Sequence, residues 1–556
     1  MAAKKTATKK TPARKTAGKK TAAKKKSAPA AAAAAASTEP PFQPTHVIDA
    51  DLARVFATSA EKAPLLTLLG WGDEVELVSE AADGFNVRLP LFTRLPDGSV
   101  RPSTVDGFIK KPKKGPALLE IAKNKVLKVD FVDIQQGDAS VIQTPQGRVI
   151  LIDGGDNQLF ARYLANRFRG STAKAPRKID CILVSHGDAD HFLGLTELHK
   201  SETDKRLRDE QPWKQIFIHP ERVYHNGLVK RPTKDIETLQ QLGKSVPVNG
   251  ENFIIGLEDD LLRDGLEPEM NAPFKAWRKA LEGYRKRGPI EFVRLEKGSD
   301  SHFQFLEGEN IEVKVLGPLT RQVDGKTALH FLGTPSNAPR LEEDGTLDVD
   351  KKKAGSPSVS HTINGHSVVL HLKYGDFRFL FAGDLNEEAE QNLLDEHKAG
   401  NLDLTADVFK VPHHGSADFN PDFLAAVAPV ASVVSSGDET KKKEFIHPRA
   451  NLMGALGRLS RIMEPLVFVT EMVAFFEVVG QCVPKEISLR GKAIKPENMP
   501  KTFFAFQRAA FGIVMVRTDG ERLFIYTNSA MDKMKETYAF KLSAGKKVTP
   551  VEVRKL

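Results

Sequence analysis

Four side chains able to bind divalent cations, His186, Asp188, Asp190 and His191, fall within six residues of the segment KIDCILVSHGDADHFLG. Imidazole and carboxylate at that density suit one metal ion, and two if other loops add donors. A plain helix start, with Asp190 capping and Asp188 facing the dipole, would use the same residue types. FRFLFAGDLN adds Asp384 behind a glycine that permits close backbone approach. A carboxylate there can bridge two cations, although a GD pair alone reads equally well as a strand-ending turn. VFKVPHHGS adds His413 and His414. Adjacent side chains on an extended backbone point in opposite directions, so at most one of the two is expected to reach the metals. FIHPRAN contributes His447 at the mouth of a further loop, a weak signal by itself.

The chemistry of such a set is hydrolysis. Two cations share and acidify a water, giving a metal-bound hydroxide near neutral pH without a Ser or Cys nucleophile. They also polarise the scissile phosphoryl or carbonyl oxygen. Asp188 or Asp190 would manage the proton.

These residues need strands that end at one edge. From residue 127 the chain runs through VLKVDFVDI, RVILIDGG, KIDCILVSHGD, VVLHLKYG, FRFLFAGD, DVFKVPHHG and ASVVSSG, with helical segments such as FARYLANRFRG between some of them. Apolar strands that finish in His- and Asp-bearing loops predict a layered α/β domain with its chemistry along one edge of the sheets. Residues 200–355 read as charged helices and polar loops, an elaboration beside the site, although IEVKVLGP reads as a strand. FGIVMVRTDGERLFIY and YAFKLS predict a hairpin and a terminal strand.

Upstream, LLTLLG, DEVELV, FNVRLP and VDGFIKK predict a small β domain over residues 45–115. Residues 1–44 form a Lys/Ala-rich basic tail and linker, too poor in apolar side chains to offset ordering entropy, and are expected to be disordered. Residues 1–38 hold ten Lys, one Arg and no acidic residue. Taking these eleven from the 81 basic side chains leaves 70 against 72 acidic, so all the excess positive charge sits in the tail. The tail is either a nucleic-acid-associating arm that gains affinity by counterion release or a solubilising appendage. Two cysteines in 556 residues exclude a disulfide framework and a thiolate metal cluster. Apolar runs are too short or too interrupted to span a bilayer, so a soluble, cytoplasmic protein without a membrane partner is expected.

The order of FVDIQQGDASVI, VILIDGG, VSHGDADHFLG, NGHSVVLHLKYGDFRFLFAGD, VFKVPHHGS and SSG followed by HP resembles the metallo-β-lactamase superfamily. Within it, the chain is similar to the soluble hydrolase domain of ComEC-type DNA-uptake proteins. The resemblance spans roughly residues 127–450 and extends toward 540; LLGWGDEVELV and DGF in the upstream domain resemble SH3-like barrels. It implies a metallo-β-lactamase αββα sandwich over 127–540. It also implies that His186 and Asp188 bind one metal, Asp190 and His191 the other, and Asp384 bridges. One of His413 and His414, together with His447, would complete the shells, while Asp153 in the LIDGG turn would orient a ligand.

The sequence departs from the superfamily in three places. Asp188 replaces the middle histidine of HxHxDH, as in the ComEC-type branch, and hardens the site so that Mn²⁺ competes with Zn²⁺. His366 lies inside an Asn-x-x-Ser pattern, Asn364 to Ser367, and is either a retained ligand or, as favoured, incidental. Gln135 stands where the branch has glycine. The reading is therefore a two-metal hydrolase, first of phosphodiesters or nucleic acid. Hydrolysis of small esters, lactones, thioesters or β-lactams is the alternative, and a nucleic-acid-tethered binding protein the third.

Overall fold

RVILIDGG and KIDCILVS are apolar at nearly every position, a pattern suited to strands covered on both faces. In the structure, a computed structural model, Val149–Asp153 and Cys181–Leu183 are buried at every residue. The described residues are 42–94, 100–113, 115, 117–234, 236–333, 339–341, 347–349, 356–437, 447–463, 465–471, 487–489, 492–494, 512–528, 537–543 and 547–551. The basic tail lies outside them up to residue 41.

Two sheets face each other. The ten-stranded sheet runs Glu291–Arg294, Arg222–His225, Cys181–Leu183, Val149–Asp153, Ala139–Gln143, Leu127–Phe131, Ile513–Thr518, Arg522–Asn528, Thr537–Ser543, Lys547–Val551. Its first four strands are parallel and the rest antiparallel. The six-stranded sheet runs Ile311–Gly317, Val369–Tyr374, Phe377–Phe381, Val408–Lys410, Ala431–Val434, Leu466–Val469. Between them Leu127, Val129, Ile150, Leu370, Phe379, Phe381 and Val408 form one buried core. Each such side chain contributes about 1.5–3 kcal/mol by leaving water.

Eight α-helices are described: α1 (Leu159–Arg167), α2 (Ala189–Thr203), α3 (Lys205–Glu210), α4 (Ala272–Arg285), α5 (Val359–Gly365), α6 (Glu387–Lys398), α7 (Pro421–Val427) and α8 (Ala450–Leu459). α1, α2 and α4 cover the outer face of the first sheet through Phe160, Leu164, Leu195, Trp277 and Leu281. α6, α7 and α8 cover the second through Leu393, Phe423, Leu424 and Leu456. The layering is thus helices, sheet, sheet, helices.

The region 200–355 is more than an elaboration. Arg222–His225 and Glu291–Arg294 complete the parallel part of the first sheet, and α4 packs on its outer face. Ile311–Gly317 is an edge strand of the second sheet. At the far end, Lys547–Val551 adds a strand beyond the expected limit at 540.

The small β domain is one seven-stranded antiparallel sheet from His46 to Glu120. It is fastened to the larger body. Buried Trp71 packs with Val126, Phe524 and Tyr526, and Lys128 Nζ lies 2.9 Å from Glu74. Among the described residues, no helix is long and apolar enough to cross a membrane.

Candidate metal centre

The motif residues sit where strands of both sheets end. Cys181–Leu183 leads through Ser185 and His186 to Asp188, which takes the N-cap position of α2. Its side chain does not cap. It turns to the ammonium of Lys230, and Asn364, with its amide oriented to satisfy its neighbours, donates to Asp188 Oδ2 at 3.1 Å.

Asp384 follows Phe377–Phe381 and Gly383, whose φ is +51°. A Cβ on Gly383 would come within 2.6 Å of Ser367 Oγ, so the close approach expected of this glycine is real. The Asp384 N–H donates to that same hydroxyl at 3.0 Å.

His413 and His414 are not on extended backbone. Their φ values are +50° and +51°, followed by Gly415 at +85°. Left-handed conformation costs a non-glycine residue about 1–2 kcal/mol, and the turn sends the two imidazoles different ways. His414 Nε2 lies 3.2 Å from Asp384 Oδ2 and 3.3 Å from Asp190 Oδ2. The His413 ring instead faces Asn364 at 3.3 Å.

At the centre, Asp138, His191, Asp384 and His414 are all buried, with ligand-type atoms within 4.8 Å of one another. His186 Nε2 is 4.0 Å from Asp384, and its ring lies 4.0 Å from that of His191. His447 borders the group, its ring 6.1 Å from that of His413 and 6.4 Å from that of His414. Burial and the charges of His414 and His413 push His447 down to about 3. Burial opposes charge on His191 and His414, yet Asp384 and other carboxylates hold both well above the usual imidazole range.

A divalent cation fits this donor set. His191 Nε2, His414 Nε2 and Asp384 Oδ1 are buried without a hydrogen-bond partner among the described residues, although they face one another at ion-pair distance. Buried polar atoms left this way need a partner.

Around these side chains stands a shell that fixes their orientation. Asp153 accepts from His191 Nδ1 at 2.9 Å, from Ser185 N at 2.7 Å and from Ser185 Oγ at 2.7 Å. That leaves His191 Nε2 for the centre. Asp153→Asn is therefore expected to weaken metal affinity by about 10–100-fold, measured by competition against a chromogenic chelator. Unchanged affinity would remove Asp153 from this role.

Asp138 lies beside His414, its Oδ1 3.3 Å from Nδ1 at ion-pair distance, while its Oδ2 pairs with buried Lys410 at 2.6 Å. The Ser435 carbonyl also faces His414 Nδ1, at 3.2 Å. Sequence reasoning missed Asp138, although it lies in FVDIQQGDASVI; a carboxylate in a loop leaving a buried strand was the available signal. It also missed Lys230.

His366 stands apart. Its Nε2 donates to the His330 carbonyl at 2.7 Å. Gln135 adopts φ +66°, so the turn keeps the left-handed shape that glycine would favour. Gly437 of the SSG segment presses on it, where a Cβ would fall 2.2 Å from Gln135 Cα.

Residues 132–268 match the metallo-beta-lactamase superfamily. Over 350 residues the chain is 31% identical to ComE operon protein 3 of Bacillus subtilis (strain 168), an alignment covering 60% of this chain and 31% of that protein. The chain thus spans about a third of the length of this curated relative. A long form RNase Z from yeast aligns with 10% identity over 63% of this chain and 37% of its own, at a TM-score of 0.21, too slight a likeness to bear on fold or function.

Proposed function

We propose that this chain, which carries a metallo-β-lactamase superfamily domain and resembles ComE operon protein 3 over 60% of its length, is a two-metal phosphodiesterase acting on nucleic acid or nucleotides. One observation carries the reading: Asp190 and Asp384 converge with His186, His191 and His414 on one point, with Asp188 beside them. Carboxylate oxygen in that proportion favours hard or borderline cations, Mn²⁺ as well as Zn²⁺. When bound, such ions supply a Lewis acid for the phosphoryl oxygen and lower the pKa of water.

The chain's own residues do the positioning. Asp153 takes the outer nitrogen of His191 and the Ser435 carbonyl that of His414, which aims each Nε2 inward. Ser367 accepts the Asp384 N–H and lies 3.3 Å from His186 Nδ1, fixing both. Lys230 and Asn364 hold the Asp188 carboxylate. Asp188 and Asp190 keep 21% and 26% of their side chains exposed. We assign to them acceptance of the proton released by the attacking water. The basic tail would add electrostatic attraction to a polyanionic substrate.

The test is metal-supplemented hydrolysis across DNA, RNA, cyclic nucleotides, lactones and β-lactams. Phosphodiester cleavage that disappears in Asp190→Ala is expected. Intact phosphodiesters throughout, with metal bound, would overturn the reading.

A further inference from the structure

Lys230 places a cation at a centre whose side chains suit cations. It leaves the same sheet edge as the metal motif, because Arg222–His225 runs parallel to Cys181–Leu183, with Ile182 beside Val223 and Leu183 beside Tyr224. The loop between that strand and the lysine is pinned at each step. Buried Asn226 donates through Nδ2 to the His366 carbonyl at 2.9 Å and accepts the Leu228 N–H through Oδ1 at 3.0 Å. Leu228 and Val229 are buried in two different apolar clusters, and the Lys230 carbonyl accepts the Asn271 N–H at 2.9 Å. The backbone on both sides of Lys230 is therefore fixed, and only its flexible four-carbon stem sets where the ammonium lies.

That ammonium sits on Asp188 Oδ1 at the accessible side of the centre, the two side chains being 22% and 21% exposed. Its charge also reaches His186: burial and His191 hold that imidazole well below its usual range, and Lys230 adds to the depression. Holding Asp188 does not by itself need a lysine. Asn364 already donates to Asp188 Oδ2 at 3.1 Å without bringing charge, whereas an ammonium beside divalent ions is repelled by them and competes for the carboxylate. An anionic substrate removes that conflict, since it attracts both. Lysine has three N–H donors, so Nζ can keep Asp188 with one and offer another to such an anion.

We propose that Lys230 Nζ takes a non-bridging oxygen of the scissile phosphodiester and so selects anionic substrates over neutral esters and lactones at this centre. The phosphodiester rests on the function proposed above, whereas the preference for an anion rests on Lys230. A lactone or ester carbonyl brings no negative charge to meet the ammonium before attack. The contact is to the phosphate and carries no base information, so Lys230 sets substrate class rather than sequence preference.

The experiment uses the full chain loaded with Mn²⁺ and two uncleavable dithymidine analogues, one with an anionic methylene phosphonate linkage and one with a neutral methylphosphonate linkage. Neither carries a terminal phosphate, so the linkage charge is what distinguishes them. Calorimetry gives Kd and mass spectrometry gives metal content. The native chain is expected to bind the anionic analogue more tightly. In Lys230→Gln that affinity is expected to fall by about tenfold, the size of a charge-assisted hydrogen bond at a part-exposed site. Binding of the neutral analogue and metal content should stay as in the native chain, and Lys230→Arg, which keeps the charge, should retain most of the preference. No preference in the native chain, equal losses for both analogues, or loss of metal from Lys230→Gln would overturn the assignment. Anion preference that depends on Lys230 in a chain that cleaves no ordinary phosphodiester would leave the anion contact standing and sink the phosphodiesterase reading. Phosphodiester cleavage with Kd unaltered in Lys230→Gln would do the reverse.

Discussion

Replacing Asp384 with alanine is expected to lower phosphodiester turnover by about 10³-fold. Metal polarisation supplies several kcal/mol of transition-state stabilisation, and each 1.36 kcal/mol is about a decade in rate. Asp384 is the carboxylate to which the centre converges: His191 lies 3.2 Å from one oxygen, His414 3.2 Å and His186 4.0 Å from the other. Despite its burial, His191 and His414 hold its carboxyl well below the usual range. Without it, the centre loses the carboxylate that these three imidazoles face. Steady-state rates under saturating Mn²⁺ check this, and a loss of less than tenfold would show that Asp384 does not hold the reacting ions.

A second large effect lies far from the chemistry. Buried Asp130 receives Arg517 Nη1 at 2.6 Å, Arg167 Nη1 at 3.2 Å and the Tyr163 hydroxyl at 2.7 Å. Asp130→Ala would leave two guanidinium groups uncompensated inside the protein. Breaking such a pair from one side costs about 3–5 kcal/mol, to be read as a lowered free energy of urea unfolding. An unchanged unfolding curve would mean that the arginines find other partners.

The same group predicts a pH dependence. Burial alone would raise the Asp130 pKa, but Arg167 and Arg517 bring it down to about 2 from an ordinary 3.8. A depressed carboxylate stabilises the fold above its unfolded pKa and loses that contribution as pH falls through the folded value. The window therefore runs from about pH 4 to about pH 2, and the contribution is of order 2 kcal/mol.

The loops that bring His186, Asp190, His191, Asp384 and His414 together were legible because each is local. A buried strand, a turn and a His or Asp at the strand end occupy fewer than about ten residues, within reach of period-2 and turn reasoning. What was not legible depends on distant partners. Asp138 in QQGDAS looks like any loop acid until Lys410 and His414 arrive from the other sheet. Lys230 gains meaning only beside Asp188.

The choice between His413 and His414 stayed open because an extended backbone was assumed. The left-handed turn that decides which ring faces Asp384 is a packing outcome that the residue types do not announce. Arg222–His225 and Glu291–Arg294 were absorbed into an elaboration for a similar reason. Four-residue strands with charged ends carry little periodicity, and only the ladder from Cys181–Leu183 to Arg222–His225 and on to Glu291–Arg294 makes them part of the sheet. The glycine expected at position 135 shows the converse, since Gln135 keeps the turn without it.

The most direct test of a two-metal centre is metal stoichiometry by mass spectrometry on the purified full chain, after chelation, reloading with Mn²⁺ or Zn²⁺ and removal of excess. Two equivalents per native chain are expected, with a deficit of at least one in His191→Ala. A native chain that retains no divalent ion, or a His191→Ala chain that retains as many as the native, would contradict the account.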